Sequence, residues 1–293
     1  MGRYTASEYG SVRFYYSVDE HPVPADFSRH CHAHYEIIYV VNGAGKYVIE
    51  GERYELRPDT LMLFRPGEFH YVDVRPDARY ERYVLHFSAD RLPETADAVF
   101  RLCQKPFGQG NFFEVDALPL PVAAVFEKYL CLSNLPPEVA LPLSRLLLSE
   151  LLVVLAAADP VRGSIRKEEP LGARVIRYLN EHLSEPFSLE GLSNHFYVSK
   201  YYLCRAFKEH NGISILGYLN GKRVMMARQL IESGETAAVA AERVGFSDYS
   251  TFYRAYRKAY ERSPAESRPG SKERRAREKQ GMTDNREKEQ AAK

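Results

Sequence analysis

Two stretches of this chain read as copies of one helical pattern, and that duplication limits the fold of its second half more than any other feature. LSNHFYVSKYYLCRAFK (192–208) and AAERVGFSDYSTFYRAYRK (240–258) each open with a helix of small residues. A turn ending in serine follows, at Ser199 or Ser247, and then a helix with an apolar anchor, Leu203 or Phe252. Two residues on stands an arginine (Arg205 or Arg254), then a large aromatic (Phe207 or Tyr256) and a base (Lys208 or Arg257). The offset between the copies is 48 at the serines and 49 thereafter. About eight residues, a short turn and about eleven more is helix-turn-helix spacing.

Helical periodicity sorts these residues by face. Leu203 and Phe207 are expected inside, as are Phe252 and Tyr256. Tyr201, Cys204 and Arg205 point elsewhere in the first unit, and Tyr249, Ser250, Tyr253 and Arg254 in the second. Gly245 permits a tight turn or positive φ, and Ser247 or Asp248 can cap the second helix. GYLNGKRVMMARQLIESG (217–234) reads as a connecting helix that holds the units at fixed separation. Arginine offers two parallel donors that match guanine or a phosphate. Taken singly, most of these bases read as an ordinary solvated face. The repetition shifts that balance at Arg205 and Arg254.

At this point the chain resembles the AraC/XylS family of bacterial transcription regulators, closely over about 171–268. The strongest match is VGFSD….F.R…K followed by SP at 263–264. The resemblance implies recognition helices at about 200–209 and 249–259. It implies base-facing positions at Tyr201, Cys204 and Arg205, and at Tyr249, Ser250, Thr251 and Arg254. Ser199, Lys200, Ser247 and Tyr253 complete the expected DNA-binding set. Four positions depart from the family pattern: Ala240, Ser193, Ile215 in place of proline, and Glu261 in place of glycine. None removes a contact group.

Charge is unevenly spread along the 293 residues. Residues 1–170 hold 18 basic and 24 acidic side chains, whereas 171–268 hold 14 and 10. An acidic front half preceding a basic back half permits a nucleic-acid partner. No apolar stretch is expected to reach membrane-spanning length, and MGRYTASEYG does not read as a signal peptide. Cys31, Cys103, Cys131 and Cys204 form no CxxC pair, so zinc on thiolates is not expected. The chain reads as cytoplasmic and reduced.

The front half has a different grammar. EIIYVVNG, GKYVIEGERYEL and TLMLFRPG are short Val/Ile/Tyr-rich runs punctuated by Gly and Pro, which suggests a small barrel or sandwich. A short helix and a returning strand are read over 91–115. Helices follow at PLPVAAVFEKYL and LPLSRLLLSELLVVLAA. The second is apolar on more than one face and needs burial on several sides, one of which a partner subunit can supply. The expected architecture has two domains: a cupin-like β-barrel with trailing helices, then an all-α tandem helix-turn-helix domain. Its divisions are a sensing and dimerisation domain at 1–160, a linker at 161–170, a DNA-binding domain at 171–268 and a charged, disordered tail at 269–293.

Within HCHAHYEIIYVVNG, His30, His32 and Glu36 precede His70 of RPGEFH, a plausible set for a divalent Mn, Fe, Ni or Zn ion. This front half resembles a cupin, with Arg65 and Val74 departing from the second motif. AraC-like regulators commonly use such a cupin as an effector pocket. Three readings of the polar residues stay open: a metal site at His30, His32, Glu36 and His70, the lining of an effector pocket, and a structural role. The pocket set is His30, His32, His34, Glu36, Tyr39, Arg65 and His70, with Tyr35 and Tyr47 beside them. Tyr39 and Tyr47 read equally as cross-strand core.

The leading expectation is a non-enzymatic, homodimeric regulator that binds double-stranded DNA and answers a small-molecule effector, such as a sugar or related metabolite. The alternative is a metal-dependent cupin enzyme or metal sensor joined to a DNA-binding domain. A third reading makes the front half a dimerisation module alone. The sequence leaves effector, operator and sign of regulation open.

Overall fold

The structure, a computed structural model, describes residues 3–23, 27, 29–88, 95–105, 107–160 and 170–268. The chain forms two units, divided between Arg177 and Tyr178. The expected linker, apart from Pro170, and the expected disordered tail lie outside the described residues.

Among the described residues, nine strands build the first unit: β1 (Arg3–Tyr9), β2 (Val12–Asp19), β3 (Tyr35–Asn42), β4 (Gly45–Ile49), β5 (Glu52–Leu56), β6 (Thr60–Phe64), β7 (His70–Val74), β8 (Tyr80–Phe87) and β9 (Phe112–Glu114). A six-stranded antiparallel sheet runs β1-β2-β8-β3-β6-β9, and a three-stranded one runs β5-β4-β7. Side chains alternate along the central strands between two apolar layers. On β3, Ile38 and Val40 join Met62, Phe64 and Val84 in a core shared with Tyr47, Ile49, Tyr54, Leu56 and Val72 of the smaller sheet. Ile37 and Tyr39 point the other way, with Leu61, Leu63, Tyr83, Leu85 and Phe87, against helices.

Those helices are α1 (Ala96–Leu102), α2 (Ala123–Cys131) and α3 (Pro137–Ala157). α3 corrects one expectation. Its length and apolarity suffice to cross a membrane, which no stretch was expected to do. Its Leu147, Leu148, Leu151, Leu152 and Leu155 are instead buried in the helix-side core of the large sheet. Arg145 and Glu150 lie on its exposed side and interrupt the apolar run in the sequence.

The second unit is helical. It takes in the end of α4 (Leu171–Glu181), followed by α5 (Leu189–His195), α6 (Lys200–Asn211), α7 (Ile215–Glu232), α8 (Ala237–Arg243) and α9 (Tyr249–Tyr260). From α5 onward each start is capped by a side-chain oxygen that accepts a backbone N–H: Ser188, Ser199, Ser214, Thr236 and Asp248. α7 packs against α6, α8 and α9, which makes it the common support of both helix pairs. Its Val224, Ala227 and Ile231 meet Ala240, Val244, Phe252 and Tyr256 in one core. Two of its bases are buried and structural: Lys222 lies over the Tyr218 ring, and Arg223 donates to the carbonyls of Leu183 (2.7 Å) and Glu185 (2.5 Å).

Candidate functional site

The parity of β3 that buries Ile38 and Val40 also turns Glu36 inward, where its side chain is almost fully buried. Antiparallel pairing sets His86 of β8 directly opposite it. His86 Nε2 donates to Glu36 Oε1 at 2.9 Å. His32 Nε2 lies 3.0 Å, and His70 Nε2 3.1 Å, from the other oxygen, Oε2. Backbone pairing of His30 with His70 brings the chain before β3 onto β7, and their rings meet at 4.5 Å. His34 stacks on His32 at 4.0 Å and sits 4.3 Å from the His86 ring.

Burial alone would raise the Glu36 pKa, but the surrounding imidazoles outweigh it and hold the carboxyl well below its ordinary range. Burial would lower His70, yet Glu36 and the Glu68 carbonyl raise it. For His34 the Glu36 carboxylate compensates too little. Burial, then the neighbouring His32 and His86, push it down to about 2.

The tautomers carry further information. His32 Nδ1 lies 2.8 Å from the His34 carbonyl, and His70 Nδ1 lies 2.9 Å from the Glu68 carbonyl. A carbonyl oxygen only accepts, so each Nδ1 carries a proton. Both Nε2 atoms then face one carboxylate oxygen. Neutral imidazoles in these tautomers would turn lone pairs toward that oxygen, and His70 Nε2 is buried without a hydrogen-bond partner, so the arrangement suits an added positive charge, a proton or a cation. Anchoring the far nitrogen on a carbonyl is how metal-ligating histidines are commonly held. His30, His32, Glu36 and His70 bring their ligand atoms within 4.8 Å of one another, so the residues fit an ion. A second such group is His32, His34 and His86.

Glu36, His30, His70 and His86 open onto a cavity of about 300 Å³. Its other walls include Tyr15, Ser17, Phe27, Tyr47, Tyr80 and Arg82. Arg82 pairs with Asp19 at 2.9 Å, with Tyr80 and Phe27 rings beneath its guanidinium. Tyr47 and Tyr80 hydroxyls meet at 2.5 Å. The two charged groups of the wall, Arg82 and Glu36, are therefore each paired, Arg82 with Asp19 and Glu36 with imidazoles.

Tyr39, Arg65 and Tyr35, all expected in this pocket, lie elsewhere. Tyr39, three residues from Glu36, has the opposite parity, stacks on Tyr83 and Phe126, and donates to Asp59. Arg65 is buried in an ion pair with Glu68, while Asn111 and Gly108 donate to the same carboxylate. It fastens the loop before β9 to the β6–β7 turn. Tyr35 also faces away, stacked on Phe87. His32 and His34 do not form cavity wall and reach it through Glu36 and His86. The wall residues missed include His86, Arg82 and Tyr80 of β8, and Tyr15, Ser17 and Phe27.

In the second unit, Leu203, Phe207, Phe252 and Tyr256 are fully buried, as periodicity requires. Ser199, Lys200, Tyr201, Arg205, Ser247, Tyr249, Ser250 and Arg254 are exposed, and Cys204, Thr251 and Tyr253 partly so. Arg205 donates to Glu209 at 2.8 Å, one turn on, and Arg254 to Thr251 at 3.3 Å. The structural partner of Ser199 is Asp248 rather than Ser247. Both cap a twelve-residue helix, so the second turn is one residue longer and the offset is 49 from the caps onward.

Residues 19–155 match the family described as AraC-like ligand binding domain, and residues 192–269 match a helix-turn-helix domain family. The chain is 27% identical over 252 residues to the HTH-type transcriptional activator RhaS of Escherichia coli O127:H6, covering 84% of this chain and 89% of that protein. RhaS of Citrobacter koseri is 27% identical over 249 residues, covering 83% and 88%. Among solved structures, ToxT from Vibrio cholerae O395 is 14% identical with a TM-score of 0.37, covering 87% of this chain and 96% of that one. The C-terminal domain of AraT, a response regulator from Geobacillus stearothermophilus, is 31% identical with a TM-score of 0.33, covering 35% and 87%.

Proposed function

This chain belongs to the AraC family of DNA-binding transcriptional regulators, with a ligand-binding domain ahead of its helix-turn-helix domain, and we propose that a small, neutral, polyhydroxylated metabolite such as a sugar is its effector. The cavity beside Glu36 carries this reading. Its volume suits a small ligand, its walls are aromatic, and its polar groups converge. Because Arg82 is matched by Asp19 and Glu36 by imidazoles, the site favours hydroxyl groups over a net charge. The effector acts by binding two arrangements of the protein unequally. The role is binding, not turnover, in the cytoplasm and without a membrane, and the sign is activation, as for RhaS. Footprinting a genomic promoter fragment with and without a panel of sugars tests it. A ligand-dependent change in occupancy or protected length supports the reading, and no response to any sugar while the protein binds DNA opposes it.

An exposed apolar stripe on α3 supports a further proposal, a face for a second copy. Val139, Leu146 and Val153 recur every seven residues on the exposed side of α3, and Leu146 is 66% exposed. That spacing makes a continuous helical stripe of the kind that pairs helices. We propose that it is the homodimer face.

The histidine tautomers favour a second reading, a metal sensor. Nε2 of His32 and His70, Oε2 of Glu36 and His30 would hold a divalent Zn, Ni, Fe or Mn ion. When bound, the ion supplies a Lewis acid for a ligand oxygen in the cavity. Metal content after purification without chelator tests it, and loss of a stoichiometric ion on His70→Ala supports it.

A further inference from the structure

Three helix ends in the second unit close with the same pair of hydrogen bonds and differ in one residue. After α7, Gly234 (φ 111°) donates to Ile231 O at 3.1 Å and Glu235 to Leu230 O at 3.0 Å. After α8, Gly245 (φ 92°) donates to Glu242 O and Phe246 to Ala241 O, both at 3.0 Å. After α5, Tyr197 (φ 55°) donates to Asn194 O at 3.2 Å and Val198 to Ser193 O at 3.1 Å. This is the Schellman closure, whose left-handed residue is usually glycine because a Cβ there crowds the backbone. Glycine fills it twice here, and tyrosine fills it in the turn of the first helix pair.

Nothing within the described structure compensates for that choice. The Tyr197 side chain is 94% exposed. Its ring makes no hydrogen bond or aromatic contact among the described residues. Two residues on, Ser199 caps α6, and the exposed Lys200, Tyr201 and Arg205 follow. A strained, uncovered aromatic side chain at this position points to a use outside the fold.

We propose that Tyr197 is a DNA contact: its phenol O–H donates to a backbone phosphate oxygen beside α6, and its ring lies along the adjoining sugar. The proposal rests on the reading that α6 meets the duplex. Tyrosine is among the side chains that bind phosphate, and such contacts position the protein without reading sequence. The contribution is therefore the same on any duplex.

The experiment compares full-length wild type with Tyr197→Gly, Tyr197→Asn and Tyr197→Phe. The probes are a 25-bp duplex recovered by selection on the wild-type protein and a random-sequence duplex of equal length. Glycine and asparagine are at ease in the left-handed region, so both variants should melt higher, by about 4 °C for a domain of this size. Both should bind each duplex about fivefold more weakly, the worth of one lost hydrogen bond. Tyr197→Phe, which keeps the ring, should lose affinity without gaining stability. A variant that melts higher yet binds both duplexes as tightly as wild type overturns the proposal. Unchanged affinity with lost promoter activation also overturns it and gives the ring to a protein partner. A wild type that binds neither duplex brings down the underlying DNA reading as well.

Discussion

Glu36 and His86 stand directly opposite each other on β3 and β8, fifty residues apart in sequence, joined by a 2.9 Å hydrogen bond between Oε1 and Nε2. That pair connects the histidine cluster to the β8 wall of the cavity. Removing one member of a buried charged pair leaves the other uncompensated and typically costs about 3 kcal/mol or more. His70, whose pKa Glu36 raises, can shed its proton once that charge is gone, which moderates the loss. Glu36→Gln is expected to destabilise the first unit by about 2–3 kcal/mol, read by urea denaturation of the full chain, and to weaken effector binding.

Stability of the metal-free protein should peak near the ordinary histidine pKa of about 6.5. His70 is raised in the folded state, so its contribution is complete below that value and is lost as pH climbs through the folded pKa. His34 is lowered to about 2, so the unfolded chain takes up a proton that the fold refuses, and stability falls as pH drops below about 6.5. Each limb has a slope of at most about 1.4 kcal/mol per pH unit, less for the partly exposed His34. Glu36, held low, adds its own loss only at more acid pH, as the carboxylate is protonated. Denaturation across pH 5–8 with chelator present checks this, and His34→Gln should flatten the acid limb alone.

Wild type is expected to sediment as a dimer at micromolar concentration, and Leu146→Lys as a monomer with little change in the melting of the first unit. Leu146 lies at the middle of the exposed Val139–Leu146–Val153 stripe and outside the buried set of α3. Sedimentation velocity gives the answer directly. A variant that sediments like wild type places the dimer face elsewhere.

The end of α9 carries Glu261 at φ 54°, where the end of α6 has Gly212 at φ 74°. A non-glycine residue in that region costs about 1–2 kcal/mol, and glycine loses back roughly half of that through the freer unfolded chain. Glu261→Gly should therefore stabilise the second unit by about 0.5–1 kcal/mol. Gly245→Ala should do the reverse, because its Cβ would approach Ser184 O to 2.7 Å at φ +92°. A loss of about 2 kcal/mol is expected. Thermal melts of the two variants check both signs.

Much of this was legible in the residues. The period of two on β3, the helical period on α6 and α9, and the caps each follow from local pattern. Tyr39 was misplaced although its odd spacing from Glu36 already assigned it to the other face. Arg65 was misplaced because Glu68, one turn away, satisfies it, and only the fold shows that Asn111 seals the pair. His86 and Arg82 were missed for a different reason. Strand order β2-β8-β3 puts them beside Glu36 and Ser17, and register between distant strands is a tertiary property that no local window contains. The step in offset from 48 to 49 already carried the extra residue in the second turn, and the matched caps place it before Asp248.

We propose that the outward side chains of α6 and α9 hold a duplex. Affinity of the full chain for its selected 25-bp duplex, measured between 50 and 200 mM salt for wild type, Arg205→Ala, Arg254→Ala and the double variant, tests it most directly. Wild-type affinity should fall by roughly a hundredfold or more across that range. Each single variant should cost about 1–3 kcal/mol on the selected duplex if its arginine is bidentate to a guanine, with less loss on random DNA. A flat salt profile, together with a double variant that binds as wild type does, would contradict the account.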